Sequence, residues 1–383
     1  MKKIYFDYAA TTPIDPRVKK AMEPYYSRKF GNTMSLHSFG QEAKVALEES
    51  RQIIADLLSA KTNEIIFTGS ATESNNLALK GVAFANKGRG NHIIISAIEH
   101  PCIVESAKWL KKQGFEITEV KVDKYGKVGV DNIKKAIKKN TVLVSIIHAS
   151  NEIGTIQPIE EIGKICRQNN IYFHTDASQS FGRIPIDVNK MNIDLLTASS
   201  HKIYGPKGAG CLFVREGVRI EPFLHGGGQE SGLRSSTVNV PAVVGFAEAV
   251  KITQKEGVSE NKRIMELRNY LIKEVLKTKG SYLNGHPVDR LQNNANFRFD
   301  FIEGEALIIQ LDLEGIAAST GSACSSIKLE PSHVLLALGL RPQEAHGSLR
   351  ISLGRWTTKE EINRLLTLLP KIIKQLREIS PFK

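Results

Sequence analysis

The chain has 383 residues, of which 41% are hydrophobic and 24% charged, and its formal net charge is +12. These proportions exclude a disordered chain, and 30 glycines are too few for a collagen-like repeat. None of the four cysteines belongs to a CxxC pair, which excludes a zinc ribbon or a disulfide framework and indicates a reducing compartment. Asp7 precedes any apolar signal segment, and no apolar run approaches the ~20 residues that span a bilayer, so we expect a cytoplasmic protein without membrane partners.

The positive charge is concentrated between residues 106 and 140, where ten lysines and four acidic residues supply +6 of the +12. This segment contains no arginine, although nucleic-acid readers usually combine arginine and aromatic residues with lysine. Lys134, Lys135, Lys138 and Lys139 have the spacing of a solvated helix face. We therefore expect no direct contact with nucleic acid, and we regard the segment as a candidate docking face for another protein.

Short apolar runs alternate with amphipathic stretches from about residue 64 to residue 200. The predicted strands are 64–68, 92–96, 115–120, 142–148, 171–175 and 194–198. The predicted helices between them include 73–85, 101–112, 132–139 and 158–169. This alternation predicts an α/β fold with a mostly parallel sheet covered by helices on both faces, to which a further strand, 210–215, adds an antiparallel neighbour.

The C-terminal third of the chain has a different pattern. A polar run over residues 253–260 predicts a break before a new helix. Beyond it, short strands at 294–299 and 349–353 mix with helices, and an amphipathic helix is predicted over 358–379. We expect a large domain of residues 13–255 and a smaller α+β domain formed by residues 1–12 and 256–383.

The first candidate binding feature follows the first predicted strand. Ser70 and Glu73 have capping-box spacing, so a helix would begin at Ala71 and Thr72. The free backbone amides of that helix start, with the Thr72 hydroxyl, could bind an anion such as phosphate. Most capping boxes only cap a helix, and that alternative stays open from the local sequence.

Other chemically active side chains follow the remaining predicted strands, where open α/β sheets bind ligands. They include His100, Asn151, Asp176 and Lys202. Each has a local alternative, such as helix capping or solvation, but their joint placement favours one site. Pyridoxal 5'-phosphate chemistry requires a lysine for the Schiff base, a carboxylate for the pyridine nitrogen and a phosphate cradle. The histidines form no HxxxH or HxH pair, so no metal site is predicted.

One cysteine and one arginine have further functional potential. Cys324 lies in a run of small polar residues, 319–326, which cannot bury it in a core. An accessible thiol in such a run could act as a nucleophile, although an unremarkable exposed thiol is the alternative. Cys102, in contrast, is interpreted as a helix-start residue. Arg350, in an alternating strand pattern, could clamp a carboxylate or form a structural salt bridge.

The chain resembles the cysteine desulfurases of the NifS/IscS type, which are fold-type I pyridoxal-phosphate enzymes of the aminotransferase class V group. The matching runs are FDYAATTP at 6–13, GSATESN at 69–75, EH at 99–100, NEIG at 151–154, DASQS at 176–180, HKIYGPKG at 201–208, GSAC at 321–324 and RISLGR at 350–355. They span nearly the whole chain in order. The resemblance implies a large domain with a mostly parallel seven-stranded sheet and a smaller C-terminal domain.

The resemblance also implies roles for individual residues. Lys202 would form the Schiff base, Asp176 would pair with the pyridinium nitrogen, and His100 would stack on the cofactor and move protons. The implied contacts to the ring oxygen and the phosphate come from Ala71, Thr72, Asn151, Gln179, Ser199, His201 and, from the second subunit of a homodimer, Thr237. Asn32 and Arg350 would bind the carboxylate of L-cysteine.

The implied reaction gives L-alanine and a persulfide on Cys324. The sulfur would pass to an acceptor or scaffold protein, for iron-sulfur cluster assembly or tRNA thiolation. Another fold-type I enzyme, such as a selenocysteine lyase, is the enzymatic alternative, and a non-catalytic basic binding protein is the alternative from a different class.

Overall fold

The structure, a computed structural model, describes residues 3–321 and 331–380. The helices are α1 Pro16–Met22, α2 Pro24–Ser27, α3 Ser38–Leu58, α4 Ala71–Asn76, α5 Val82–Ala85, α6 Pro101–Lys112, α7 Val130–Ala136, α8 Ile159–Gln168, α9 Val240–Val275, α10 Gly304–Leu313, α11 His333–Ala337, α12 Pro342–His346 and α13 Lys359–Ile379. The strands are β1 Ile4–Tyr5, β2 Ile65–Thr68, β3 His92–Ser96, β4 Glu116–Val120, β5 Thr141–Ser145, β6 Tyr172–Asp176, β7 Leu195–Ser199, β8 Gly210–Val214, β9 Ser281–Asn284, β10 Asn294–Phe299, β11 Ile316–Ala317 and β12 Ser348–Ser352. A π-helical turn joins α4 to α5.

The largest sheet has seven strands in the order β2-β8-β7-β6-β5-β3-β4. The strands from β7 to β4 in this order pair in parallel, whereas β8 is antiparallel to both of its neighbours. Strands β3, β5 and β7 are buried along their whole length, as expected when helices cover both faces of a parallel sheet. The predicted mostly parallel seven-stranded sheet is confirmed.

Most predicted strands agree with the observed ones to within one residue at each end. The strand predicted over 142–148 is β5, which ends earlier, at Ser145. The break predicted over residues 253–260 is wrong, because α9 runs through the segment from Val240 to Val275. Gln254, Lys255 and Glu256 in this run are good helix formers, and Ile252 and Gly257 are buried on the inner face of the helix.

Two hydrophobic clusters correspond to the two regions of the chain. One, with Phe67, Phe173 and Phe246, packs around the large sheet. Another joins Phe6 of the N-terminal segment to residues from Ile264 onward. In addition, β1 pairs in parallel with β11. We propose that these clusters mark the two domains; the boundary at residue 255 stays a prediction, since α9 crosses it.

Three surface features bear on the functional classes. Among the helices of residues 3–321 and 331–380, none is long and apolar enough to cross a membrane. Over the same residues, His, Cys, Asp and Glu side chains do not gather in threes as metal ligands would. In the lysine-rich segment, the exposed Lys134 and Lys138 pair with Asp131 and Glu116. The four lysines are exposed as predicted, but the helix predicted over 132–139 ends at Ala136 and Ile137 is extended, so Lys138 and Lys139 lie beyond the helix.

Candidate active site

A cavity of about 300 Å³ lies at the carboxyl edge of the large sheet. Its walls come from the segments that follow β2, β3, β5, β6 and β7, together with β12 and the N-terminal segment. The lining residues are Ala9, Ala10, Ser70, Ala71, Thr72, Asn75, His100, Cys102, Ile147, Asn151, Asp176, Ser178, Gln179, Ser199, His201, Lys202 and Arg350. Two larger cavities, of about 640 and 740 Å³, are lined by other surfaces and contain no histidine or cysteine among their described residues.

Lys202 stands at one wall of this cavity. It ends the 3₁₀ turn Ser200–Lys202, which follows directly from β7. Its Nζ donates hydrogen bonds of 2.7 Å to the carbonyl oxygens of both Ala9 and Ala10. The Lys202 carbonyl in turn accepts a 2.7 Å hydrogen bond from Nη2 of Arg183. The N-terminal segment thus fixes the position of the amine.

Asp176 is the last residue of β6, and it is 4% exposed. Its Oδ1 accepts hydrogen bonds from the backbone N–H and the hydroxyl of Ser178, at 2.9 and 2.6 Å. Its Oδ2 accepts a 2.7 Å hydrogen bond from Nδ2 of Asn75. Donors on both oxygens fix the plane of the carboxylate at the cavity.

His100 is the N-cap residue of α6, followed by Pro101 at the first helical position. Its Nδ1 accepts a 3.2 Å hydrogen bond from the backbone N–H of Cys102. Burial lowers the pKa of His100; Asp176 opposes that change, while Lys202 and His333 add to it. The imidazole in the cavity is therefore neutral near neutral pH.

The opposite side of the cavity is formed by a helix start. Ser70 caps α4 by accepting a hydrogen bond from the Glu73 N–H, and Glu73 Oε2 accepts one of 2.8 Å from the Gly69 N–H. The predicted helix start and its cap are therefore confirmed. Across from it, His201 Nδ1 lies 3.0 Å from Oγ1 of Thr11, and burial lowers the pKa of His201 to about 4. The start of α4 and His201 thus both line the cavity, and free amides at a helix start can bind an anion.

Arg350 approaches the cavity from β12 and is 2% exposed. Its Nη2 lies 2.7 Å from Oδ1 of Asp7, and its Nη1 donates to the carbonyl oxygens of Asn151 and Gly321, at 3.1 and 2.9 Å. Its buried Nε has no hydrogen-bond partner within the described part of the chain. These contacts use three of the five N–H donors, so the guanidinium keeps donors that can bind a carboxylate oxygen.

Comparisons with known proteins agree with this geometry. The family model of aminotransferase class-V matches residues 4–365. Cysteine desulfurase IscS of Dictyoglomus turgidum is 51% identical over 383 residues, which cover 100% of this chain and 97% of that protein. The chain belongs to the cysteine desulfurase family of this class.

Solved structures give the same family. A structure described as a NifS-like protein is 38% identical with a TM-score of 0.92, covering 98% of this chain and 100% of the other. A structure of SspA in complex with cysteine is also 38% identical, with a TM-score of 0.81 and coverage of 93% and 100%. The fold is that of the fold-type I desulfurases.

Most of the residues implied by the desulfurase resemblance lie together in the cavity. Those lining it are Ala71, Thr72, His100, Asn151, Asp176, Gln179, Ser199, His201, Lys202 and Arg350. Asn32 and Thr237 do not line it: both are exposed, and Asn32 Oδ1 accepts a hydrogen bond from the Met34 N–H. Cys324 lies outside the described residues. The individual roles of all these residues stay predictions.

Sequence reasoning missed several lining residues of this desulfurase cavity. Ala9 and Ala10 belong to a run that matched the family, but they act through backbone carbonyls, which a side-chain search does not detect. Asn75 was detectable, because it is one helical turn beyond Thr72 and lies on the same face. Cys102 was interpreted mainly as a helix-start residue, with reactivity beside His100 as the less favoured alternative, and its position as a lining residue was not predicted.

Proposed function

We propose that this chain is a cysteine desulfurase that uses pyridoxal 5'-phosphate. The observation that carries the proposal is the convergence of Lys202, Asp176, His100 and Arg350 on one cavity. In the reaction, the C–S bond of L-cysteine breaks and an S–S bond to Cys324 forms. L-Cysteine and a thiol thereby give L-alanine and a persulfide, so atoms and electrons balance without an external oxidant.

The donor set in the cavity fits pyridoxal 5'-phosphate. Lys202 supplies the amine for its aldehyde, and Asp176 the carboxylate for its ring nitrogen. The amides at Ala71 and Thr72, with the polar side chains of Ser199 and His201, would hold the phosphate, while Asn151 and Gln179 would contact the ring oxygen. When bound, the cofactor draws electrons from the substrate α-carbon, which makes the C–S bond labile.

Side chains of the protein would then carry out proton transfer, substrate binding and sulfur attack. Nζ of Lys202 would remove the α-proton after leaving the carbonyls of Ala9 and Ala10. The neutral imidazole of His100 would exchange protons with the reacting groups. The guanidinium of Arg350 would bind the substrate carboxylate, with Asn32 as a second contact, and the Cys324 thiolate would attack sulfur.

We also propose a homodimer. Large apolar side chains are exposed along one segment before and within α3: Tyr26, Phe30, Met34, Leu36 and Phe39. Such a patch favours burial against another protein, here a second copy. Thr237, which is exposed and outside its own cavity, would reach the phosphate of the partner's site.

Subunit mixing tests this arrangement. Lys202→Ala and Thr237→Ala chains, each impaired alone, should regain activity when unfolded and refolded together, because every mixed dimer has one site with both native residues. The absence of recovery in a mixture shown by mass to contain mixed dimers would contradict a Thr237 contribution across the dimer. A monomeric mass in sedimentation would contradict the dimer itself.

The persulfide would pass to a protein acceptor in the cytoplasm, for iron-sulfur cluster assembly or tRNA thiolation. The central experiment tests persulfide formation, the step before that transfer. We expect purified protein incubated with L-cysteine to release alanine and to gain the mass of one sulfur atom on the Cys324 peptide. Cys324→Ala should keep the visible absorption of the cofactor and lose sulfur release.

Three outcomes would contradict parts of the proposal. Full activity with cysteine in Cys324→Ala would refute the persulfide step. Alanine formation from L-selenocysteine but not from L-cysteine would favour the lyase alternative. A protein with no visible absorption after reconstitution would point to the non-catalytic alternative.

A further inference from the structure

An uninterrupted series of hydrogen bonds connects Asp176 with His100. Nδ2 of Asn75 lies 2.7 Å from Oδ2 of Asp176 and 3.1 Å from Sγ of Cys102. Sγ of Cys102 lies 3.0 Å from Nδ1 of His100. The two hydrogens of the Asn75 amide can serve the carboxylate and the sulfur at the same time.

The direction of each bond follows from the donors available. The Asn75 amide nitrogen can only donate, so the Cys102 sulfur accepts from it. The Cys102 S–H remains available, and Nδ1 of His100, 3.0 Å away, can accept it because Nδ1 already accepts the Cys102 backbone N–H. Nδ1 of His100 also receives the backbone N–H of Cys102 at 3.2 Å. Both donors require a lone pair on Nδ1, and the proton of the neutral imidazole must therefore be on Nε2.

We propose that Asn75 and Cys102 are positioning residues that hold His100 as the Nε2–H tautomer and couple its orientation to Asp176. The catalytic consequence rests on the proposed function, since it assumes that His100 exchanges protons during sulfur removal. The tautomer itself depends only on the hydrogen bonds. Four residues from α4, β6 and the start of α6 thus act as one polar unit.

The chemistry of Cys102 supports a positioning role rather than a nucleophilic one. Burial, followed by the charge of Asp176, raises the pKa of its thiol to about 12. The group is therefore a thiol and not a thiolate at neutral pH, which makes it a poor nucleophile. It keeps the S–H that the hydrogen bond to His100 requires.

Substitution of Cys102 by valine and by serine distinguishes the effect of its hydrogen bonds from the effect of its packing. Cys102→Val replaces the sulfur with two methyl groups, which makes the side chain slightly larger, and removes both the S–H donor and the sulfur acceptor. Cys102→Ser keeps a donor and an acceptor, so it is the matched control. Neither substitution changes Asp176, Lys202 or His333, the charged or titratable groups that act on His100 across the cavity.

The first readout is the tautomer in protein labelled with ¹⁵N-histidine and loaded with its cofactor. The His100 signals are assigned by their loss in His100→Gln. We expect a pyridine-type shift for Nδ1 and a pyrrole-type shift for Nε2 in the wild type. A proton on Nδ1 would overturn the proposal without any variant at position 102, so misfolding of a variant does not prevent the decision.

The second readout is the pH dependence of His100 and of kcat/KM. Loss of the S–H donor removes a bond that favours the neutral ring, so in Cys102→Val both the titration of His100 and the acid limb of kcat/KM should move to higher pH. We expect kcat to fall by roughly three- to tenfold, the worth of one hydrogen bond, and serine to restore most of it. Identical profiles for the valine, serine and wild-type proteins would overturn the proposal.

These readouts distinguish the inference from the proposed function. A wild-type protein that releases no alanine from L-cysteine would refute the desulfurase assignment. The tautomer and titration of His100 would still be measurable in that protein, and they alone would decide whether Asn75 and Cys102 position the ring.

Discussion

The buried Arg350 and the partly exposed Asp7 form an ion pair, with 2.7 Å between Nη2 and Oδ1. The Asp7 carboxylate occupies part of the same guanidinium that the substrate carboxylate would use. Because Arg350 is 2% exposed, its charge needs a partner when no substrate is present. We therefore expect Asp7 to stabilise the ligand-free site and to compete with the substrate carboxylate for Arg350.

We expect Asp7→Asn to lower KM for L-cysteine by roughly three- to tenfold, about the worth of one ordinary hydrogen bond. Asparagine keeps an acceptor for Nη2 but removes the competing charge. The same change should lower the melting temperature of the ligand-free protein, since a buried guanidinium loses its counterion. Steady-state kinetics and thermal unfolding with and without L-alanine measure both effects.

Arg350→Lys is the matched comparison for this prediction, because it keeps the charge and loses the forked geometry. It should raise KM for L-cysteine. A raised KM in Asp7→Asn as well would contradict competition and would mean that Asp7 orients Arg350 for binding.

Two substitutions of Lys202 distinguish the effect of its positive charge from its ability to form a Schiff base. We expect both Lys202→Ala and Lys202→Arg to lose the visible absorption band and all desulfurase activity, because neither side chain can form the Schiff base. Arginine retains a cation near the Ala9 and Ala10 carbonyls, so its melting temperature should exceed that of the alanine variant. Lys207→Ala, an exposed neighbour, is the control and should keep the band. A persistent band in either Lys202 variant would contradict the assignment.

Asp176→Asn tests the carboxylate beneath the proposed ring nitrogen. It removes the charge but retains an oxygen that can accept hydrogen bonds from Ser178. We expect kcat to fall by roughly 10²- to 10³-fold, the size of effect seen when a preorganised electrostatic group is lost. Ser178→Ala, which removes only one donor to that carboxylate, should reduce kcat by less than tenfold. Equal losses in the two variants would argue against a role for the charge.

The sequence predicted those parts of the site that depend on local order along the chain. His100, Asp176 and Lys202 were detectable because each follows a buried strand, and the carboxyl ends of parallel strands share one edge. Contacts between distant segments were not detectable. Asp7 and Arg350 are 343 residues apart, and Lys202 is 193 residues from Ala9. The pairing of β1 with β11, which returns the N-terminus to the site, has no signal in periodicity.

The break expected at residues 253–260 failed for a related reason. The polar run was interpreted as a break before a new helix. Polar residues indicate exposure to solvent, but they do not by themselves end a helix. Residues on the outer side of α9 face solvent while Ile252 and Gly257 remain buried. Tertiary packing of the inner face therefore decided the length of the helix.

Glu99 gives a prediction about stability and pH. Its side chain is completely buried. Oε1 accepts hydrogen bonds from Ser96 Oγ at 2.5 Å and from the Ile147 N–H at 2.8 Å. Oε2 has no hydrogen-bond partner among the described residues. Burial raises the pKa of this carboxyl from 4.5 to about 8. The folded protein thus keeps Glu99 protonated at neutral pH, whereas the unfolded chain ionises it.

A raised pKa in the folded state means that the stabilisation is complete below the pKa of the unfolded chain, about 4.5, and is lost as pH rises through about 8. Glu99→Gln is neutral at every pH and nearly isosteric. We therefore expect the free energy of unfolding of the variant, relative to wild type, to increase between pH 4.5 and 8 and to stay level above that. Denaturant unfolding at several pH values measures this difference. Glu161 is exposed, so Glu161→Gln is the control, and its difference in unfolding free energy from wild type should vary little with pH. An equally small pH dependence for Glu99→Gln would contradict the prediction, because it would mean that Glu99 ionises in the folded protein with its ordinary pKa.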